Sequence, residues 1–309
     1  MTTTRIRPDR GLTVRMSVTI FLLGLLYVAV AALLIAYGIN AVVVLVIACG
    51  LLFAQYWFSD RLALYAMRGR IVTPEEAPEL HGIVDRLCAL ADMPKPQVAI
   101  ADVDMPNAFA TGRSPNRAVV CATTGILRRL DTEELEGVLS HELSHVAHRD
   151  VAVMTVASVL GVVAGLITRF AFYSELFGGG GRGRGGNNQD SGFAVVAAIM
   201  VVSVLVYAIS FLLTRALSRY RELSADRSGA LLTGHPSALA SALQKVSGPA
   251  AQIPSRDLRS AEAFNAFFFT PAKHAGGFSL SSLFSTHPPL EVRLRQLARI
   301  SADLGQPVA

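Results

Sequence analysis

Residues 131–150 read DTEELEGVLSHELSHVAHRD, and the reading of this stretch decides the fold around it. Asp131 is a good helix N-cap and Glu134 follows three residues on, a capping-box variant. The helix it starts runs through LEGVLSHELSHVAH and places His141 and His145 four residues apart. Side chains at that spacing lie about 40° apart around the axis, so both imidazoles face one way and can bind one ion. Glu142, one position round, reaches a water on the open side of such an ion. His148 lies near the same face but sits too far along the axis to join both.

Moving outward, the helix meets a run without charge at 151–168. An earlier run is longer: between Arg15 and Asp60 no Asp, Glu, Lys or Arg occurs across 44 residues. One helix of that length would measure about 66 Å, roughly twice the hydrocarbon core of a bilayer. The break Gly38-Ile39-Asn40 divides it into two expected spans, near 16–37 and 41–58. A second pair, 151–168 and 191–214, flanks the polar, glycine-rich loop SELFGGGGRGRGGNNQD. A cleaved signal peptide does not account for the first run, which continues far beyond an ordinary h-region.

The composition agrees with a membrane protein: 52% of residues are apolar and 17% charged, against about 25% charged in soluble domains. Mean hydropathy is +0.44. With 25 Gly, 14 Pro and 3 Cys, the chain is neither collagenous nor a disulfide scaffold, and Cys88 and Cys121 are the one plausible pair. The net charge of +5 is explained by topology. Of 28 Lys and Arg, 25 lie in the N-terminal tail and in 59–150 and 215–309. The glycine-rich loop has Arg182 and Arg184, and Arg169 lies near a helix end. This asymmetry predicts that both termini are cytoplasmic. No basic stripe interleaved with aromatics occurs, so nucleic acid is not an expected partner. The four spans carry no charge, which argues against a transporter or channel.

Four segments follow: 1–58, a tail and first membrane hairpin; 59–150, a cytoplasmic piece; 151–214, a second hairpin; and 215–309, a second cytoplasmic piece. The two cytoplasmic pieces are expected to build one domain. Within the first, Pro74-Glu75-Glu76 opens a predicted helix whose apolar face is Leu80, Ile83, Val84, Leu87 and Leu90, ended by Pro94 and Pro96. QVAIADV (97–103) and AVVCAT (118–123) are β-rich and bracket DMPNAFATGRSPNR (104–117), read as strands and turns. The second piece opens with RALSRYRELSADRSGALL (215–232), where Glu222 and Asp226 share a helix face. An even number of spans separates it from His141, so both emerge on one side. Two histidines and one Glu would leave a hydrolytic zinc position open. His148, Asp150 and Asp226 are the other available ligands.

The segments NAFATG (107–112), HELSHVAHRD (141–150), RELSAD (221–226) and STHPPLEVRLRQL (285–297) stand in this order around two pairs of spans. Together they resemble the HtpX family of membrane zinc endopeptidases and, more distantly, the type I CAAX prenyl proteases. The resemblance implies an α-helical integral membrane protein with four transmembrane helices and a mostly α, α+β gluzincin-like metalloprotease domain. It implies one Zn2+ per chain held by His141, His145 and Glu222, with Glu142 as catalytic base. Asp226 would brace a ligand histidine. Asn107, Ala108, Phe109 and Ala110 would form a strand that pairs with an extended substrate. His287 would steady the oxyanion of the tetrahedral intermediate, and Arg293 would help His287 or pair with Glu291. The expected partners are polypeptide substrates, membrane proteins above all, and the lipid bilayer. The expected location is the plasma membrane with a cytoplasmic site, in quality control of misfolded proteins. A prenyl-protein processing protease and a catalytically inactive scaffold are the alternatives, the latter disfavoured by the intact Glu142. The glycine-rich loop 178–186 and AFNAFFFTPAKHAGG (263–277) match no motif of the family.

Overall fold

The computed structural model describes residues 6, 8–36, 40–43, 45–47, 49, 50, 53, 57, 64, 65, 67–112, 114–151, 153, 154, 189–247 and 288–306. These fall into two compact units. One comprises Met1–Val14, Tyr56–Ala152 and Ser218–Ala309; the other comprises Arg15–Gln55 and Val153–Leu217.

The longer helices of the described residues are α1 (Arg10–Ala36), α2 (Pro78–Ala91), α3 (Thr132–His148), α4 (Gln189–Thr233), α5 (Pro236–Ser247) and α6 (Leu290–Asp303). Four strands, β1 (Gly69–Ile71), β2 (Gln97–Ala101), β3 (Ala108–Thr111) and β4 (Val119–Thr123), form one sheet in the order β1-β2-β4-β3. β2 and β4 run parallel, while β1 and β3 join antiparallel at the two edges. β3 is therefore an edge strand.

Strand side chains alternate between two apolar clusters. Val98, Ala108, Ala110, Val120 and Ala122 face the main core, together with Ile83, Val84 and Leu87 of α2 and Val138, Leu139 and Leu143 of α3. Ala99, Ala101, Phe109, Val119 and Cys121 face a smaller cluster with Met67 and Met105. Both faces are covered, which is why QVAIA and VVCAT read as nearly continuous apolar runs. Cys88 and Cys121 belong to these separate clusters, and all three cysteines are free.

Helix α2 starts one turn later than the sequence predicts. Pro78, with no N–H to satisfy, takes the first position of the helix. Glu76 instead closes the preceding turn, accepting from Thr73 N–H at 2.9 Å and from Arg70 at 2.7 Å.

Among the described residues, two helices are long and apolar enough to cross a membrane, by length and composition: Arg10–Ala32 and Val201–Thr233. In the second, charge returns at Arg215, so Glu222 and Asp226 lie beyond the span expected at 191–214. Apolar side chains of both helices are exposed, with Phe21 at 65%, Val28 at 66% and Leu212 at 63%, the surface a bilayer would cover. The expected spans 41–58 and 151–168 lie largely outside the described residues, as do the glycine-rich loop 178–186 and the insert 263–277.

Candidate metal centre

Helix α3 begins as its sequence dictates. Asp131 accepts from Glu134 N–H at 2.9 Å, and the Glu134 carboxylate accepts from Asp131 N–H at 3.1 Å, a reciprocal capping box. With the start fixed, the helical repeat sets His141 and His145 on one face, both buried. Their Nε2 atoms lie 3.2 Å apart.

Glu222 arrives from helix α4, also buried. Its two carboxylate oxygens lie 3.5 Å from the Nε2 atoms of His141 and His145. The ligand atoms of these three residues all fall within 4.8 Å of one another. His148 is not part of this cluster.

The opposite ring nitrogens face carboxylates. His141 Nδ1 is 2.8 Å from Asp226 Oδ1, and His145 Nδ1 is 2.9 Å from Asp150 Oδ2. A carboxylate at Nδ1 accepts from the N–H of that nitrogen and leaves Nε2 as a lone pair. Two ring nitrogens and an anionic oxygen then converge among buried groups, an arrangement that holds a cation, either a proton or a metal ion, between the three. Burial pulls the His141 pKa down, yet Asp226 and Glu222 outweigh it and hold the ring at about 9. The same concentration of negative charge favours a metal ion. Two imidazoles and a carboxylate fit a four-coordinate metal with one position left for water.

The carboxylates are themselves anchored. Arg293 of α6, 1% exposed, grips Asp226 through Nε at 2.7 Å and a terminal nitrogen at 2.6 Å. Burial alone would raise the Asp226 carboxyl, but Arg293 and His141 hold it down at about 2. The sequence suggests His287 or Glu291 as the partner of Arg293; its grip on Asp226 is a finding of the structure. Arg221 donates to Glu222 Oε1 at 2.9 Å. Sequence reasoning also misses the bracing position of Asp150, which it offers only as a spare ligand. The signal is present in the spacing: Asp150 follows directly on a helix that ends at Arg149 in the left-handed conformation, φ 57°.

Glu142 is buried beside the donor cluster. Burial pushes its carboxyl above the usual range, against the pull of the two histidines. Its Oε2 accepts from the Ala110 N–H at 2.9 Å, so the helix and edge strand β3 meet at this carboxylate. Asn107 is buried just before β3, its N–H bonded to Thr123 Oγ1 and its carbonyl accepting from Thr123 N–H, both at 2.9 Å. Ala108, Phe109 and Ala110 continue along the edge. His287 lies outside the described residues.

A model of peptidase family M48 matches residues 74–301. Protease HtpX homolog 1 of Streptomyces coelicolor is 65% identical over 302 residues, covering 98% of this chain and 97% of that one. Protease HtpX homolog of Moorella thermoacetica is 51% identical, covering 96% and 97%. Among solved structures, S. mikatae Ste24p aligns with TM-score 0.47 at 16% identity, covering 94% of this chain and 66% of that one, a likeness too distant to bear on mechanism. The family match takes in the helix of His141 and His145 and the helix of Glu222 together, and this chain, a metalloendopeptidase, belongs to peptidase family M48.

Proposed function

We propose that the chain is a membrane-anchored zinc endopeptidase that cleaves polypeptides at the cytoplasmic membrane face. The observation that carries the reading is the convergence of two braced imidazoles and Glu222 beside the buried Glu142. His141, His145 and Glu222 would hold the zinc, with Asp226 and Arg293 behind His141. Two nitrogens and one oxygen with an open position suit a hydrolytic zinc rather than a structural one. Bound there, zinc supplies Lewis acidity that polarises a carbonyl and makes water a nucleophile near neutral pH.

Glu142 takes the proton of the attacking water and passes it to the leaving amine. Its raised pKa suits both halves of that task, since the group must accept a proton and then release it. Alternation along an antiparallel pair turns every second residue of β3 away from β4. Ala110, whose N–H reaches Glu142, is such a residue, so the open edge at 107–110 would pair with an extended substrate beside the base. His287 would act on the oxyanion of the intermediate. Four membrane spans, a cytoplasmic site and a role in clearing misfolded membrane proteins complete the proposal. They rest on the charge distribution and on the HtpX resemblance.

The test is a casein-cleavage assay of the detergent-purified protein, with metal analysis, on wild type and Glu142→Gln. The variant is expected to keep its zinc and lose about 100-fold or more of the rate. Near wild-type cleavage by Glu142→Gln would refute the mechanism.

A further inference from the structure

We propose that Asp9 is a positioning residue for the metal centre: it clamps the helix that carries Glu222 and Asp226 from the side opposite the metal. The proposal rests on the reading of His141, His145 and Glu222 as metal ligands. Asp9 precedes α1 and caps it, its Oδ1 accepting from Leu12 N–H at 3.0 Å. Its other oxygen, Oδ2, accepts from the Ser224 hydroxyl at 2.7 Å, and the Tyr220 hydroxyl donates to Oδ1 at 3.4 Å. One carboxylate thus serves the start of α1 and the flank of α4, across 215 positions of sequence.

The faces of α4 give this contact its meaning. Tyr220 and Ser224 are four residues apart and share a face, as do Glu222 and Asp226. Two residues correspond to about 200° of helical turn, so the pairs lie on nearly opposite sides of the helix. α4 is therefore held on one side by the histidines and Arg293, and on the other by Asp9.

The segment around Asp9 is built into the same unit. Leu12 is 1% exposed, and Ile6 belongs to the main core cluster. Gly11 faces the tip of the Tyr220 side chain of α4, where a Cβ would run into the hydroxyl and make it shift. Burial of Asp9 opposes its ionisation, but the Ser224 hydroxyl and the Leu12 and Gly11 amides outweigh it and hold the carboxyl below its usual range. The bonds are therefore charge-assisted.

The test uses Asp9→Ser, Ser224→Ala and the double variant in the full-length protein. Ser at position 9 keeps an oxygen to cap α1 but lacks the reach to Ser224. Zn2+ affinity is read by competition with a chelator, kcat and KM on casein, and melting temperature on chelated protein. Each single variant is expected to bind Zn2+ about 10-fold more weakly, the scale of one charged hydrogen bond, and to lose kcat while KM holds. The double variant should be no worse than Asp9→Ser, because both substitutions remove the Asp9–Ser224 bond. Wild-type Zn2+ affinity in both singles, or additive losses in the double, would overturn the proposal. A wild type that binds no Zn2+ would instead strike the underlying reading of the centre.

Discussion

His145 Nδ1 lies 2.9 Å from Asp150 Oδ2, although helix α3 has already ended between the two residues. Arg149 takes the left-handed conformation, φ 57°, and the Asp150 carboxylate comes to rest behind the ring. His141 obtains the same support from Asp226, a residue on a different helix. The two histidines are alike in sequence context and alike in geometry, but one brace is local and the other is tertiary.

Removing the local brace should loosen the metal without touching the base. Asp150→Ala leaves His145 free to rotate and to put its proton on Nε2. A zinc affinity about 10–100-fold weaker is expected, measured by chelator competition. Unchanged affinity would show that His145 needs no support.

Glu222→Gln and Asp226→Asn should separate ligand from brace. Glu222→Gln keeps the volume and removes the anionic oxygen, so it should lose more zinc at limiting metal than Asp226→Asn. The stability ranking should reverse. Asp226→Asn takes the anionic charge away from the buried Arg293 guanidinium, a loss of about 3 kcal/mol, read as a lower melting temperature in chelated protein. Equal zinc content in wild type and Glu222→Gln would remove Glu222 from the ligand set.

Gly229 sets the spacing of the two helices that bear His141 and Glu222. A Cβ at this position would meet His141 N and Ser140 Oγ at 2.9 Å. The His141 atom is helix backbone and cannot swing aside. Gly229→Ala should cost about 1–3 kcal/mol through overpacking and weaken zinc binding by parting the ligands. Gly82, where a Cβ meets nothing within 4 Å, is the control. Gly82→Ala should leave zinc binding unchanged and gain up to about 1 kcal/mol from helix propensity.

The Lys and Arg asymmetry makes a topological prediction. In intact cells, with Cys49, Cys88 and Cys121 replaced, an impermeant thiol reagent should modify Gly185→Cys. Lys95→Cys and Arg256→Cys should react only after permeabilisation. Labelling of Lys95→Cys from outside would reverse the orientation and move the site to the other face of the membrane.

Relations within a few residues along the chain are legible without a structure. The helical repeat puts His141 and His145 on one face, and Asp131 with Glu134 fixes where that helix starts. Charge-free runs need no partner to be read, because transfer out of water depends on composition and length. Local rules err where two prolines compete: Pro74 and Pro78 both suit a helix start, and the bonds made by Glu76 settle the choice. Glu222 is legible only as one of several carboxylates until its motif is compared with a family. Which distant groups anchor the braces in turn emerges from the packed fold alone. Arg293 reaches Asp226 across 67 positions and Asp9 reaches Ser224 across 215, and no periodicity encodes either. Such pairings depend on how closely helices approach, as at Gly229. Side-chain spacing within a helix is a property of the backbone; contact between helices is a property of the packed core.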